Sequence, residues 1–192
     1  MRIRSTSFAL ALALVASVAA TPAVAGPPLL CEPFDTAGAP SLPWGEGWRD
    51  ARADFPLQTL PERTVELLET GVPLSARMET LRRAAIYAAR DGAVLRALMR
   101  RLDERVHTAD DSAALRMALF DSGYFLETLQ DIERLQGYDM PGIGAVDREV
   151  LRALLRQPDG SERIAQALAL QPDDADIRFA AALVAAADGA GP

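Results

Sequence analysis

The chain has one cysteine, Cys31, one histidine, His107, and neither lysine nor asparagine; all 20 basic residues are arginine. A single cysteine excludes an internal disulfide, so the core must hold the fold without a covalent staple. Structural zinc needs about four Cys, His or carboxylate ligands, and beyond Cys31 and His107 only carboxylates could supply them. The missing lysines and asparagines fit a GC-rich genome, which is poor in A-rich codons, better than a selected function. Positive charge in a stripe is also absent, and the net charge of −7 argues against nucleic acid or anionic lipid as a partner. β-Branched residues are sparse, and no alternating run of useful length occurs, which removes the strand reading. Ser122-Gly123 lacks the G-x-S-x-G elbow of a hydrolase nucleophile, and Gly142-Ile143-Gly144 follows no strand, so it is no nucleotide loop.

What is present begins with an export signal. Arg2 and Arg4 precede an apolar run from Phe8 to Ala20, Thr21-Pro22 breaks it, and Ala23-Val24-Ala25 offers small residues to a signal peptidase. Residues 1–25 are therefore expected to be a signal peptide cleaved before Gly26. The run falls short of the roughly 20 residues of a spanning helix, and no later stretch qualifies, so stable membrane insertion after cleavage is not expected. Cys31 is no lipobox cysteine, because Leu29-Leu30 stands where a small residue is needed. The roughly 167 remaining residues suit one domain, in the periplasm or outside the cell. Loss of two arginines makes it more acidic still.

Residues 26–56 are rich in Pro and Gly and read as an extended arm rather than a helix. That arm nevertheless carries Leu29, Leu30, Phe34, Leu42, Trp44, Trp48 and Phe55, too many large apolar groups for a disordered linker. It is expected to lie on the body and bury its tryptophans. From 57 to 192 the pattern is helical. Pro61 opens a first helix that Gly71 and Pro73 stop. Ser75 is placed to cap a second, with Met78, Leu81, Ala85 and Ala88 on one face and Asp91-Gly92 as its end. Leu95, Leu98, Met99, Leu102 and Val106 mark a third, close enough to form a hairpin. A long helix from about Asp111 to Gln136 runs through Gly123, where it could kink, and helices near 145–157, 160–171 and 174–188 follow, punctuated by Pro158 and Pro172. The expected fold class is all-α: helical hairpins in a tetratricopeptide-like array or an irregular bundle. The arginines recur among acids along these helices and read as solvated ion-pair faces.

Helix starts near 75, 111 and 145 lie about 36 and 34 residues apart, and Ala165 to Ala175 (A-Q-A-L-A-L-Q-P-D-D-A) resembles the junction between tetratricopeptide repeats. Elsewhere the repeat pattern is not met. A second resemblance covers more of the chain. Gly26-Pro27-Pro28-Leu29-Leu30-Cys31-Glu32-Pro33-Phe34, followed by Ala39-Pro40-Ser41-Leu42-Pro43-Trp44, resembles the G-P-P-L-x-C-H-P-F … A-x-S-L-P-W opening of a family of exported bacterial proteins of unknown function. Arg77 to Ala88, Asp121 to Tyr124 and Phe179 to Leu183 are similar in later patches. The family usually has His after the cysteine, and here Glu32 stands in that place, so the resemblance implies no Cys-His metal or haem role. It implies the fold and leaves the activity open.

Few residues are candidates for chemistry. Cys31 is the candidate thiol. A reactive thiol needs a cation or a helix N-terminus nearby, whereas its neighbours Glu32 and Asp35 would raise its pKa, so packing is the first reading, ahead of an intermolecular disulfide. His107 suits the negative end of its helix. Glu32 with Asp35, or Asp110 with Asp111, could form an acid/base pair, but acids before a helix are more often caps. Glu32, Asp35, Trp44 and Trp48 are the candidate arm contacts. Trp44 and Trp48 could instead stack a carbohydrate or small ligand if both were exposed. No catalytic set, metal set or cofactor motif is recognised. The expected function is a protein- or peptide-binding module, its partner another periplasmic protein or peptide held in a groove between helix pairs. A thiol-dependent factor or enzyme centred on Cys31 is the alternative.

Overall fold

The structure, a computed structural model, describes residues 26–69, 71–156 and 159–189. The expected signal peptide and Pro158 lie outside the described residues. Eight helices are described: α1 Pro28–Cys31, α2 Leu60–Leu67, α3 Leu74–Ala88, α4 Gly92–Thr108, α5 Ser112–Arg134, α6 Arg148–Leu154, α7 Gly160–Leu170 and α8 Ala175–Gly189. No strand occurs among the described residues, and the only pairing of that kind is an isolated bridge between Trp44 and Ala51. The fold is all-α. No described helix is long and apolar enough to cross a membrane.

Aspartates start most of the later helices. Asp91, Asp111, Asp147 and Asp159 each accept a backbone N–H from the first turn of α4, α5, α6 and α7, and Asp174 accepts from Asp176 and Ile177 in α8, satisfying donors that a helix start leaves free. Two expected boundaries need correction. Ser75 is not a cap: α3 begins at Leu74 behind Pro73 and has no side-chain cap. Gly92 does not end α3 in a left-handed turn; it opens α4, and a Cβ there would meet Asp147 and come within 2.5 Å of Val150 Cγ2. Close approach of α6, not backbone freedom, requires this glycine.

The arm is likewise not wholly extended. Pro27 O accepts from Leu30 and Cys31 N–H, and Pro28 opens the single turn α1, where its missing N–H leaves nothing unpaired.

Helix α5 is the hub: it contacts α1, α3, α4, α6, α7 and α8. It runs unbroken through Gly123, because that glycine serves contact rather than a kink. A Cβ on Gly123 would lie 2.7 Å from Gly160 O, and one on Gly160 would lie 2.5 Å from Gly123 O. The two glycines bring α5 and α7 backbone to backbone. Around them Phe120, Tyr124, Leu126, Ile164 and Ala167 join one buried core with Leu81, Leu95 and Leu98. The arm belongs to that core: Leu29, Leu30 and Leu42 are buried, and Phe34, Trp44, Trp48 and Phe55 pack against it.

Candidate functional site

Helix α3 is buried on almost every side, so its polar side chains must find partners inside the protein. Glu79 and Arg82 find each other and the arm. The Glu79 carboxylate accepts from Arg82 Nε at 2.7 Å and Nη2 at 2.8 Å, from Arg83 Nε at 2.6 Å and from the Phe34 backbone at 3.0 Å. Arg82 Nη1 then donates to Leu30 O and Trp48 O, and Arg83 Nη1 to Leu42 O. Tyr87 donates to Pro43 O and accepts from Arg52 N–H. From the other side, Asp131 on α5 accepts the Leu29 N–H at 2.8 Å. An arm with little secondary structure has backbone groups to satisfy, and these four side chains of α3 and one of α5 satisfy them. Burial alone would push the Glu79 carboxyl up, but the bonds from Arg82, Phe34 and Arg83 hold it below its ordinary value. Burial pushes Asp131 up, opposed by Leu29 and Arg134.

A second polar assembly lies at the far end of α3. Asp121, fully buried on α5, accepts from Arg77 Nη1 at 2.7 and 2.9 Å and pairs with Arg105 of α4. Arg77 and Arg105 also donate to Leu68 O, and Arg77 to Glu69 O. Guanidinium groups thus cap the carbonyl end of α2. Two guanidinium groups share one carboxylate. Beside them opens a cleft of about 460 Å³ between the α2–α3 loop, the end of α4 and the start of α5. Arg77, Arg105, Arg116, Asp110 and Asp111 line it, together with Leu68, Val72, Met117 and Ala118. Arg116 also pairs with Asp174 at 2.8 Å. Buried Nε atoms of Arg77 and Arg116 have no hydrogen-bond partner.

The candidates read from sequence lie elsewhere. Cys31 is half-buried, and burial first, then Asp131 and Glu32, push its thiol up to about 11 against a small opposing pull from Arg82. At neutral pH only about one molecule in 10⁴ carries the thiolate, the reactive form. Glu32 and Asp35 are exposed, and the Asp35 carboxylate turns back on the Ala37 N–H; neither joins the contacts that hold the arm. Trp44 is part-buried among Arg82, Arg83 and Tyr87, with guanidinium carbons 5.2 and 5.6 Å from its ring and the tyrosine ring edge-on at 5.5 Å. Its indole N–H donates to Gly47 O. Trp48 is also part-buried, beneath Arg49, so the pair offers no open stacking face. His107 bonds Asp103 O at the end of α4. Asp111 caps α5, and Ser122 is buried and bonded to Leu119 O. No group of three metal-ligating side chains occurs among the described residues.

The reading of the arginines as solvated faces is corrected here. Arg77 and Arg82 are among the largest fully buried side chains. Spacing could not reveal this, because Glu79, Arg82 and Arg83 stand three and four apart like any surface ion pair. The available signal was the apolar surroundings of α3, whose alanines and leucines leave no wide solvent face. Comparison with family models, curated proteins and solved structures returns no match, so geometry alone bears on function.

Proposed function

We propose that this is an exported helical protein that binds a partner polypeptide, and that an acidic segment of the partner enters the cleft between α2, α4 and α5. The observation that carries this reading is the set of three arginines that line the cleft, Arg77, Arg105 and Arg116, of which the first two share the single carboxylate of Asp121. Paired helices that present a concave, charged surface are a common way to hold a peptide. The nearly full protonation of Cys31 and the packing of Trp44 weigh against thiol chemistry and carbohydrate stacking respectively.

Selection from a random peptide library on the purified protein tests the reading. Enriched peptides are expected to carry Asp or Glu, and to lose binding when Ala114→Trp fills the cleft from the exposed first turn of α5. Enriched peptides that bind the filled variant equally well, or no enrichment, would remove the cleft from consideration.

A further inference from the structure

We infer that a smaller pocket, where α4, α5, α6 and α7 meet, holds an aromatic side chain of a peptide whose neighbouring residues are acidic. It shares no lining residue with the cleft between α2, α4 and α5, so it can be filled whether or not that cleft is. Arg96, Arg100 and Arg163 line it with Met99, Leu126 and Leu154, and Asp103 is its one acid. Asp103 is already taken, because Arg163 Nη1 donates to it at 2.5 Å. Glu104, four residues after Arg100, pairs with Arg101 instead at 2.9 Å. Glu62 lines a neighbouring hollow with Arg100 but does not pair with it. Arg96 and Arg100 therefore make no ion pair or hydrogen bond among the described residues. Both are exposed, so their guanidinium groups can meet a ligand. They also stand one turn apart on α4, a spacing at which like charges repel.

Charge, lining and size together choose the occupant. Two adjacent cations without counter-charges attract carboxylates and repel basic chains. Guanidinium groups also stack on aromatic faces, a contact open to Phe, Tyr or Trp and closed to an aliphatic side chain. Met99, Leu126 and the half-buried Leu154 give such a ring apolar neighbours. The volume of about 230 Å³ lies below the roughly 300–1,000 Å³ of sites that enclose a whole small ligand, and it suits one side chain of a longer molecule. Aromatic anchors seated in pockets carry much of the binding energy at protein interfaces. Nucleic acid also offers aromatic rings and negative charge, but the protein's net charge of −7 opposes a polyanion far more than a peptide with one or two acids.

Heteronuclear NMR on the purified protein tests this with the capped peptide Gly-Glu-Phe-Glu-Gly, its counterparts with Gln for both acids or Ala for the aromatic, phenylpropionate and oligothymidylate. The parent peptide is expected to shift the amide signals of Arg96, Arg100, Leu154 and Arg163 saturably, and both counterparts to bind about tenfold more weakly. Arg96→Gln combined with Arg100→Gln should weaken the parent peptide about tenfold and leave its Gln counterpart unchanged. Melting temperature should stay the same or rise in that variant, since a like-charge pair is removed. Arg178→Gln, at an exposed arginine on α8, and Ala114→Trp should leave binding as it is. Equal binding of either counterpart, or an equal loss in the Arg178→Gln variant, overturns the inference. So does binding that Ala114→Trp abolishes, which would seat the peptide in the larger cleft and sustain the polypeptide reading there. Phenylpropionate or oligothymidylate binding tighter than the peptide overturns it in favour of a free acid or a nucleic acid. No shift at these residues with any probe at millimolar concentration overturns it outright.

Discussion

A single carboxylate, Glu79, ties two arginines and the arm backbone together from a fully buried position. Its replacement leaves Arg82 buried without a counter-charge, a situation that typically costs about 3–5 kcal/mol. Glu79→Gln keeps the shape and should lower the free energy of unfolding by that amount, read as a lower urea midpoint at unchanged slope, with Trp44 and Trp48 emission shifting red as the arm loosens. Unchanged stability and emission would show that the clasp is not electrostatic. Cys31 gives a second test at this scale. The shift of its pKa from 9.0 to about 11 removes about 99% of the thiolate at neutral pH, so the native thiol should react with a maleimide about 100-fold more slowly than the urea-unfolded chain. Equal rates would mean that its carboxylate neighbours and its burial do not act on it in solution.

Between elements, the α5–α7 contact concentrates two constraints. Gly123 and Gly160 meet backbone to backbone, so the obstacle to a side chain at 123 is a carbonyl oxygen that cannot rotate away. Gly123→Ala gains about 1 kcal/mol of helix propensity but forces α7 outward, and overpacking typically costs 1–3 kcal/mol. A net loss in thermal stability is expected, whereas Gly189→Ala, with nothing near its Cβ, should be neutral or mildly stabilising. Next to this contact Glu127 is buried, with Asp159, Asp188, Gln130 and the Ser161 N–H facing it. Burial first, and then Asp159, raise its carboxyl from 4.5 to about 8, while Asp159 is lowered by the proton it shares with Glu127. The folded protein therefore holds this proton more tightly than the unfolded chain. Its contribution to stability is complete below the ordinary carboxyl value and is lost as pH climbs toward 8. The melting temperature should fall by a few degrees between pH 6 and 9, and Glu127→Gln should flatten that slope. A slope that survives the substitution would assign it to other groups. Helix boundaries were legible because Asp caps and Pro or Gly stops sit at nearly every junction. The glycine contact was not, since a mid-helix glycine has the same spelling whether it bends a helix or admits a neighbour.

For the whole molecule, the arm decides whether the helices close into one core. Its large apolar residues announced docking, and Leu29, Leu30 and Leu42 are indeed buried. What could not be read was the grip, because hydrogen bonds from Arg82, Arg83 and Tyr87 reach carbonyls 41 to 52 residues away where they meet Leu42, Pro43 and Leu30. Contacts of that range leave no local pattern, and neither does the cleft, which joins the ends of α2, α4 and α5. The same long reach makes the helical body dependent on the arm. A chain beginning at residue 57 would expose the core beneath Leu29, Leu30 and Leu42, and would leave Glu79 and Asp131 without the backbone donors of Phe34 and Leu29. Buried charge and bare apolar surface together should cost more than the few kcal/mol by which a domain is stable. Such a truncation is expected to keep helical far-UV dichroism while losing its near-UV signal and cooperative melting, the signature of a collapsed state without fixed packing. Added as a separate peptide, residues 26–56 should restore both. A cooperative transition within a few degrees of the full chain, without the peptide, would show instead that the helices close on their own and the arm is only a cover.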